Sequence, residues 1–250
     1  MKMILFPAIK RFFLTITITA MTLTGFSQDL LSSDKITTSA GVIEMYFIGH
    51  GSLMFKLGDF VIHIDPVRSS GSYTNLPKAD LILVTHEHQD HLDPQLINDL
   101  KKQGTIMLCS EKSAQKVGWA QLMKQGDKKT VHGIKIEAVP AYNIKHERAP
   151  GQPFHPKGEG NGYVLTIGDK RFYIAGDTEN IPEMKRLKNI DVAFLPMNLP
   201  YTMTPEMVAD AAKSFNPKIV YPYHFSDTNT SLLVGLLKHT TIEVRIRNLK

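Results

Sequence analysis

The sequence predicts an α/β fold in which a β-sandwich carries helices on its outside, and three observations predict it. A glycine-led hairpin occurs twice. Gly51-Ser-Leu-Met-Phe-Lys-Leu-Gly-Asp-Phe-Val-Ile-His-Ile-Asp65 is echoed by Gly162-Tyr-Val-Leu-Thr-Ile-Gly-Asp-Lys-Arg-Phe-Tyr-Ile-Ala-Gly-Asp177. Each copy turns at Gly-Asp and its second strand runs to an aspartate, which suits two similar halves. Short apolar runs alternate with segments of helical period. Finally, 250 residues with 42% hydrophobic content can build one sizeable core without staples.

The chain start reads differently. Lys2, Lys10 and Arg11 precede an apolar run of about fourteen residues that ends in small residues, the pattern of a secretory signal peptide over 1–27. The run is short of the roughly 20 apolar residues of a spanning helix. Its removal takes the formal charge from +5 to +2, so the apparent basicity belongs largely to the targeting segment. Export to the periplasm or beyond, with no membrane attachment after cleavage, is the expectation. No basic run with interleaved aromatics marks a nucleic-acid surface, so a small-molecule substrate is the expected partner. The single cysteine, Cys109, excludes an internal disulfide and sits in an apolar run that reads as a buried strand.

Residues 28–40 are small and polar and read as a flexible lead-in, which leaves one domain over 41–250. Strands are predicted at 43–48, 53–57, 60–65 and 81–85. Asp93 then caps a helix with Pro94 at its first position and Gly104 as its stop; Leu96, Ile97 and Leu100 share one face. A strand through Cys109, a short helix over 111–117 and two strands ending in Ala138-Val-Pro-Ala141 follow. Residues 142–161, rich in Pro, Gly and His, read as a long loop, and loops of that length usually carry function. Strands at 163–167 and 171–175, a helix at 182–187 and a strand at 192–195 come next. A helix capped by Thr204 runs to 215, and 219–223 is the last internal strand.

The chemistry concentrates in Val84-Thr-His-Glu-His-Gln-Asp-His91, where three histidines and an aspartate follow an apolar strand. A loop anchored on a sheet can aim several side chains at one point. In extended chain His86 and His88 project to the same side, while Asp90 and His91 come after a turn and can serve a second ion. Imidazole and carboxylate are the ligand types of catalytic zinc sites that keep a position open for water. Asp177 and His224 stand just past two other predicted strands, and a carboxylate such as Asp177 has two oxygens with which to bridge cations.

Together, His86-x-His88-x-Asp90-His91, Ala175-Gly-Asp-Thr178 and the late His224 resemble the metallo-β-lactamase superfamily, over residues 43–227. Within it the chain is most similar to the branch of L-ascorbate 6-phosphate lactonase and related metal-dependent hydrolases. That resemblance rests on Gly49-His-Gly-Ser52, Ile64-Asp-Pro66, Pro182-Glu-Met184, Phe194-Leu-Pro196 and Met203-Thr-Pro-Glu206. It implies a four-layer αββα sandwich of two mixed sheets with outer helices and a dinuclear site along one sheet edge. It implies His86 and His88 on a first metal, Asp90, His91 and His224 on a second, and Asp177 bridging. Asp65 would hold a ligand histidine from behind, with His50 either there or on the substrate side.

One departure stands out. Where the superfamily often has a third histidine at a strand end, this chain reads Ala141-Tyr-Asn143, and asparagine is a poor zinc ligand. The following loop offers His155, in Phe154-His-Pro-Lys-Gly158, as the preferred replacement, with His146 expected to be solvated. Two zinc ions, with manganese or iron as alternatives, would activate a bridging hydroxide. Asp90 would orient it and relay its proton, and Lys157 or Tyr201 would steady a developing oxyanion. The superfamily's cysteine-ligated β-lactamases need a cysteine in the second half, where this chain has none. The resemblance to the lactonase branch implies a lactone or other small ester as the expected substrate. A phosphodiester, or a non-catalytic secreted metal-binding role, is the alternative.

Overall fold

The computed structural model describes residues 31–250; the expected signal segment lies outside them. Seven strands form the first sheet in chain order: β1 (Ser33–Thr38), β2 (Gly41–Gly49), β3 (Ser52–Leu57), β4 (Phe60–Ile64), β5 (Leu81–Val84), β6 (Ile106–Cys109) and β7 (Gln121–Leu122). Pairing is antiparallel through β4 and parallel from β4 to β7, so the sheet is mixed. Helices α1 (Pro94–Leu100) and α2 (Glu111–Val117) follow β5 and β6.

The second half repeats this plan. β8 (Lys128–Val131), β9 (Ile134–Ala141), β12 (Gly160–Ile167) and β13 (Lys170–Ile174) pair antiparallel. β14 (Val192–Pro196), β15 (Ile219–Tyr223) and β16 (Glu243–Val244) then add in parallel. Helices α3 (Pro182–Lys185), α4 (Pro205–Phe215) and α5 (Ser231–Leu237) lie between the later strands in sequence. The echoed segments are the hairpins β3–β4 and β12–β13, one in each sheet.

Strand periodicity sorts the side chains into layers. In β5, Leu81 and Leu83 face the core between the sheets, while Ile82 and Val84 face Leu96, Ile97 and Leu100 of α1 on the outside. In β13, Phe172 meets Phe55 across the sandwich at 6.0 Å, and Tyr173, on the opposite face, meets Phe215 of α4 edge-on. Each buried Leu, Ile or Phe contributes about 1.5–3 kcal/mol. The expected αββα layering is therefore present, with two mixed sheets. Cys109 is buried as expected, and burial pushes its thiol up to about 12.

Three local expectations are corrected. Residues 33–38 of the supposed flexible lead-in are strand β1, in register with β2 from Ser33↔Tyr46 to Thr38↔Gly41. What orders it is remote: Asp34 takes Arg247 through Nη2 at 2.7 Å to both carboxylate oxygens, and also accepts from Arg245 and the Tyr221 hydroxyl. Helix α1 stops at Leu100 rather than Gly104, although its cap is as predicted: Asp93 accepts from Leu96 N at 2.9 Å. The loop 142–161 is not structureless, because β10 (Glu147–Ala149) and β11 (Gln152–Pro153) form a small hairpin of their own.

Candidate metal centre

The functional residues gather where strands end. β4, β5, β9, β13 and β15 deliver Asp65, Thr85–His91, Asn143, Asp177 and His224 just past their C-terminal residues. Parallel strands present such ends together, so one edge of the sandwich collects groups distant in sequence. Several of these residues hold left-handed backbone: His50 at φ 50°, Asp65 at 44°, His224 at 48° and Ser226 at 42°. That conformation costs a non-glycine residue about 1–2 kcal/mol, and such strain gathers where side chains must be aimed.

Asp65 organises the first turn from beneath. It is fully buried and accepts from Thr85 N and Thr85 Oγ1, both at 2.7 Å. Its Oδ2 also lies 2.8 Å from His91 Nδ1. An imidazole that donates through Nδ1 keeps a lone pair on Nε2. The chain turns over His88, whose carbonyl accepts from His91 N and Leu92 N. Gly51 is required beside this ring, because a Cβ there would lie 2.8 Å from His91 Cε1.

Two ligand sets then face each other across Asp177. In the first, His86 Nε2 and His88 Nδ1 are 3.1 Å apart, and His155 Nε2 is 3.2 Å from Asp177 Oδ2. In the second, His91 Nε2 is 3.3 Å from Asp177 Oδ1, and His224 Nε2 is 3.3 Å from Asp177 Oδ2 and 3.4 Å from Asp90 Oδ2. His86, His88 and His155 converge within 4.8 Å, as do His50, Asp90, His91 and His224, and His86, His91 and Asp177. His50, expected at the periphery, thus joins the second set, its ring tilted against that of His224 with centroids 3.9 Å apart and its Nε2 3.3 Å from Asp90.

These residues fit divalent cations on chemical grounds. Among the described residues, His91 Nε2, His155 Nε2 and Asp177 Oδ1 are buried without a hydrogen-bond partner. Buried polar atoms in native folds are nearly always satisfied, so three orphans pointing at one space imply a missing partner. The charges agree. Burial holds the His86 imidazole well below its usual 6.5, helped by the neighbouring His91; burial and His155 lower His88 likewise. Burial opposes ionisation of Asp177, but His224 and His91 outweigh it and keep the carboxyl far below the usual range. Burial would also lower His91, yet Asp177 and Asp65 overcome it and hold the ring well above 6.5. For Asp90, hydrogen bonds from His224 and His50 outweigh burial and keep it ionised. The neutral His86 and His88 and the ionised carboxylates are in the forms that bind metal, whereas His91 must first give up a proton.

The third imidazole of the first set is held by the very asparagine that replaces it in the sequence. Asn143 Oδ1 accepts from His155 N at 2.8 Å and lies 2.7 Å from His155 Nδ1, which turns Nε2 toward Asp177. Asn143 Nδ2 donates to Glu179 Oε1 at 3.2 Å and to Tyr201 O at 2.9 Å. Glu179, a buried carboxylate to which the sequence reading assigns no role, also accepts from the backbone of Ile144, Lys145 and His146. Those bonds outweigh burial and keep it ionised. A carboxylate two residues after Asp177 was the only sequence signal for it.

Two expectations are corrected here. His146 is only partly exposed and is not left to water alone: its Nδ1 sits 2.6 Å from Glu179 Oε1. Lys157 does not reach the centre. Its ammonium pairs with Glu183 at 2.9 Å and lies over the Tyr142 ring, drawn away by a nearer carboxylate. Tyr201 does line the open cavity of about 370 Å³ above the centre, with His50, His88, Asp90, Arg148, Phe154 and Asn198.

Comparison with known proteins agrees with this geometry. Residues 44–224 match the family model of the beta-lactamase superfamily domain. A UPF0173 metal-dependent hydrolase of Enterococcus faecalis is 32% identical over 195 residues, covering 74% of this chain and 87% of the relative. A crystal structure from Parabacteroides distasonis, of a protein assigned to the metal-dependent hydrolases, is 48% identical with a TM-score of 0.84. It is matched over its whole length by 88% of this chain. The archaeal metallo hydrolase Igni18 of Ignicoccus hospitalis shares the fold at 22% identity, with a TM-score of 0.66 over 83% of this chain and 95% of that one. Model, relatives and site converge on one conclusion: the chain is a metal-dependent hydrolase of the metallo-β-lactamase superfamily and belongs to the UPF0173 family.

Proposed function

We propose that the protein hydrolyses a lactone or other small ester with two zinc ions, one held by His86, His88 and His155 and the other by Asp90, His91 and His224. Asp177 stands between them. The observation that carries this reading is the pair of ligand sets converging on one buried carboxylate, one of whose oxygens, Oδ1, has no hydrogen-bond partner. Bound divalent cations supply Lewis acidity, lowering the pKa of water and polarising the bond under attack.

The chain's own groups do the rest. Asp177 is 4% exposed, whereas the Asp90 side chain is 49% exposed at the cavity wall. Asp90 is therefore the carboxylate that can accept a hydrogen bond from an entering water and orient its oxygen. With Lys157 bound to Glu183, Tyr201 is the remaining expected donor at the cavity, suited to a developing oxyanion. A cavity of about 370 Å³ admits a small molecule and not a folded polymer.

The test combines metal analysis with a panel of lactones, thioesters and phosphodiesters on metal-replete protein. About two zinc ions per chain with lactone turnover, both lost in His88→Ala, is the expected result. Preferential phosphodiester turnover would replace the ester reading, and unimpaired activity of His88→Ala would remove the site assignment. The basic start and apolar run of residues 1–27 further support export, which N-terminal sequencing of the mature protein reads directly. Among the described residues no helix is long and apolar enough to cross a membrane.

A further inference from the structure

The hairpin β10–β11 brings one cation to the metal centre. Arg148, in β10, lines the same cavity as His50, His88, Asp90, Asp177 and His224. Among the described residues its guanidinium pairs with no carboxylate. It contacts His88 Nε2 at 3.2 Å, donates to Phe154 O at 3.4 Å, and lies 5.5 Å from the Phe154 ring centre. A guanidinium carries five N–H donors in a planar fork, so most of this one's capacity is unused.

The contact with His88 does not survive loading of the centre. Nδ1 is the His88 atom that converges with His86 Nε2. A cation held there would take the Nδ1 lone pair and leave the ring proton on Nε2. An N–H of His88 then faces an N–H of Arg148, and the guanidinium has lost its acceptor. It remains charged beside a cavity lined in part by the Phe154 and Tyr201 rings, which meet edge-to-face at 5.0 Å. Ring stacking and the Phe154 carbonyl restrict where its fork can point.

From this geometry we propose that the substrate is anionic: a carboxylate or phosphate on it pairs with Arg148 while the scissile bond lies over the metal centre. The inference deepens the proposed hydrolysis at this site and rests on it for the location of the scissile bond. An oxyanion restores the acceptor that metal loading removes, and a planar fork suits both carboxylate and phosphate oxygens.

The test uses two non-hydrolysable probes, glutarate and propylphosphonate. Each is titrated calorimetrically into the metal-replete wild type, Arg148→Ala and Arg148→Lys, with metal content measured on every sample. Arg148→Ala is expected to weaken one probe about 10- to 100-fold at unchanged metal content, and Arg148→Lys to recover part of the loss. The more affected probe identifies carboxylate or phosphate as the recognised group. In parallel, γ-butyrolactone is compared with its γ-carboxylate. The wild type should prefer the carboxylate, and Arg148→Ala should narrow that preference through KM by the same factor. Equal probe affinities in wild type and Arg148→Ala overturn the inference, even if both lactones are hydrolysed. Loss of metal in Arg148→Ala also overturns it, because the residue would then be structural. Arg148-dependent probe binding without lactone turnover overturns the ester reading and leaves the anion site standing.

Discussion

The two echoed hairpins end on aspartates that do opposite jobs for one imidazole. Asp65 follows Ile64 of β4 directly and lies 2.8 Å from His91 Nδ1, behind the ring. Asp177 stands beyond Ala175 and Gly176 after β13 and lies 3.3 Å from His91 Nε2, in front of the ring. The difference is two residues of chain, with Gly176 in left-handed backbone at φ 66° to make the bend. Asp65 meets Thr85 and His91 and fixes them, whereas Asp177 meets His86, His91, His155 and His224 and has an oxygen without a partner. One topological position thus supplies a clamp in one half and, in the other, the carboxylate on which both groups of histidines converge.

The comparison breaks most severely at Asp177. Asp177→Asn removes the charge between the two ligand sets while keeping the shape. Deleting one member of a buried charge cluster costs about 3–5 kcal/mol, so metal affinity and turnover should fall roughly a hundred- to several-thousand-fold. Metal titration and kcat/KM read this together. A loss under tenfold would mean that Asp177 is not shared by the two sets.

Asp65→Asn probes the clamp, and a smaller effect follows because it acts through His91. An amide can still accept from Thr85 but does not stabilise His91 as a carboxylate does. Removing such a supporting carboxylate typically costs about 10–100-fold in metal affinity or activity. The loss should fall on the second ligand set, leaving the set of His86, His88 and His155 occupied. Stoichiometry near one cation per chain at limiting metal is the expected signature, and equal loss at both sets would contradict the asymmetry.

The two sets should also differ in their response to pH. The carboxylates on either side of His91 hold it above 6.5, so in the metal-free protein it carries a proton at neutral pH. A cation must displace that proton, so the affinity of the second set should rise with pH through the neutral range. His86 and His88 are lowered by burial and are already neutral there. The first set should therefore change little over the same range. Zinc isotherms at several pH values, with proton release followed in weak buffer, separate the two slopes; parallel slopes would refute the assignment of charge.

How much of this was legible depends on how far the chemistry travels along the chain. His86 to His91 concentrate four metal-binding groups in six residues, and Asp177 and His224 announce themselves at the ends of apolar runs. Both hairpins were readable because Gly-Asp turns sit between runs of period two. By contrast, Asn143 and Glu179 act only through tertiary contacts: Asn143 is a poor ligand by composition, yet it aims His155 from twelve residues away. Strand β1 was hidden for the same reason, since Asp34 finds Arg247 across 213 residues. A polar segment whose partners lie at the other end of the chain carries no local sign of order.

Lys157 gives the smallest effect and the most direct test of that limit. Its place in a loop after a strand made it a candidate for oxyanion stabilisation. The structure turns its ammonium to Glu183 and the Tyr142 hydroxyl, and these contacts raise its pKa rather than aim it at the cavity. Exposed pairs of this kind hold little energy, because water screens them and the side chains stay mobile. Lys157→Ala should therefore leave kcat/KM and metal content unchanged within about twofold. Arg148→Ala, nine residues earlier in the same loop, should reduce kcat/KM on an anionic ester. The opposite ranking would mean that the loop closes differently over substrate, with Lys157 released from Glu183 to take the position assigned to Arg148.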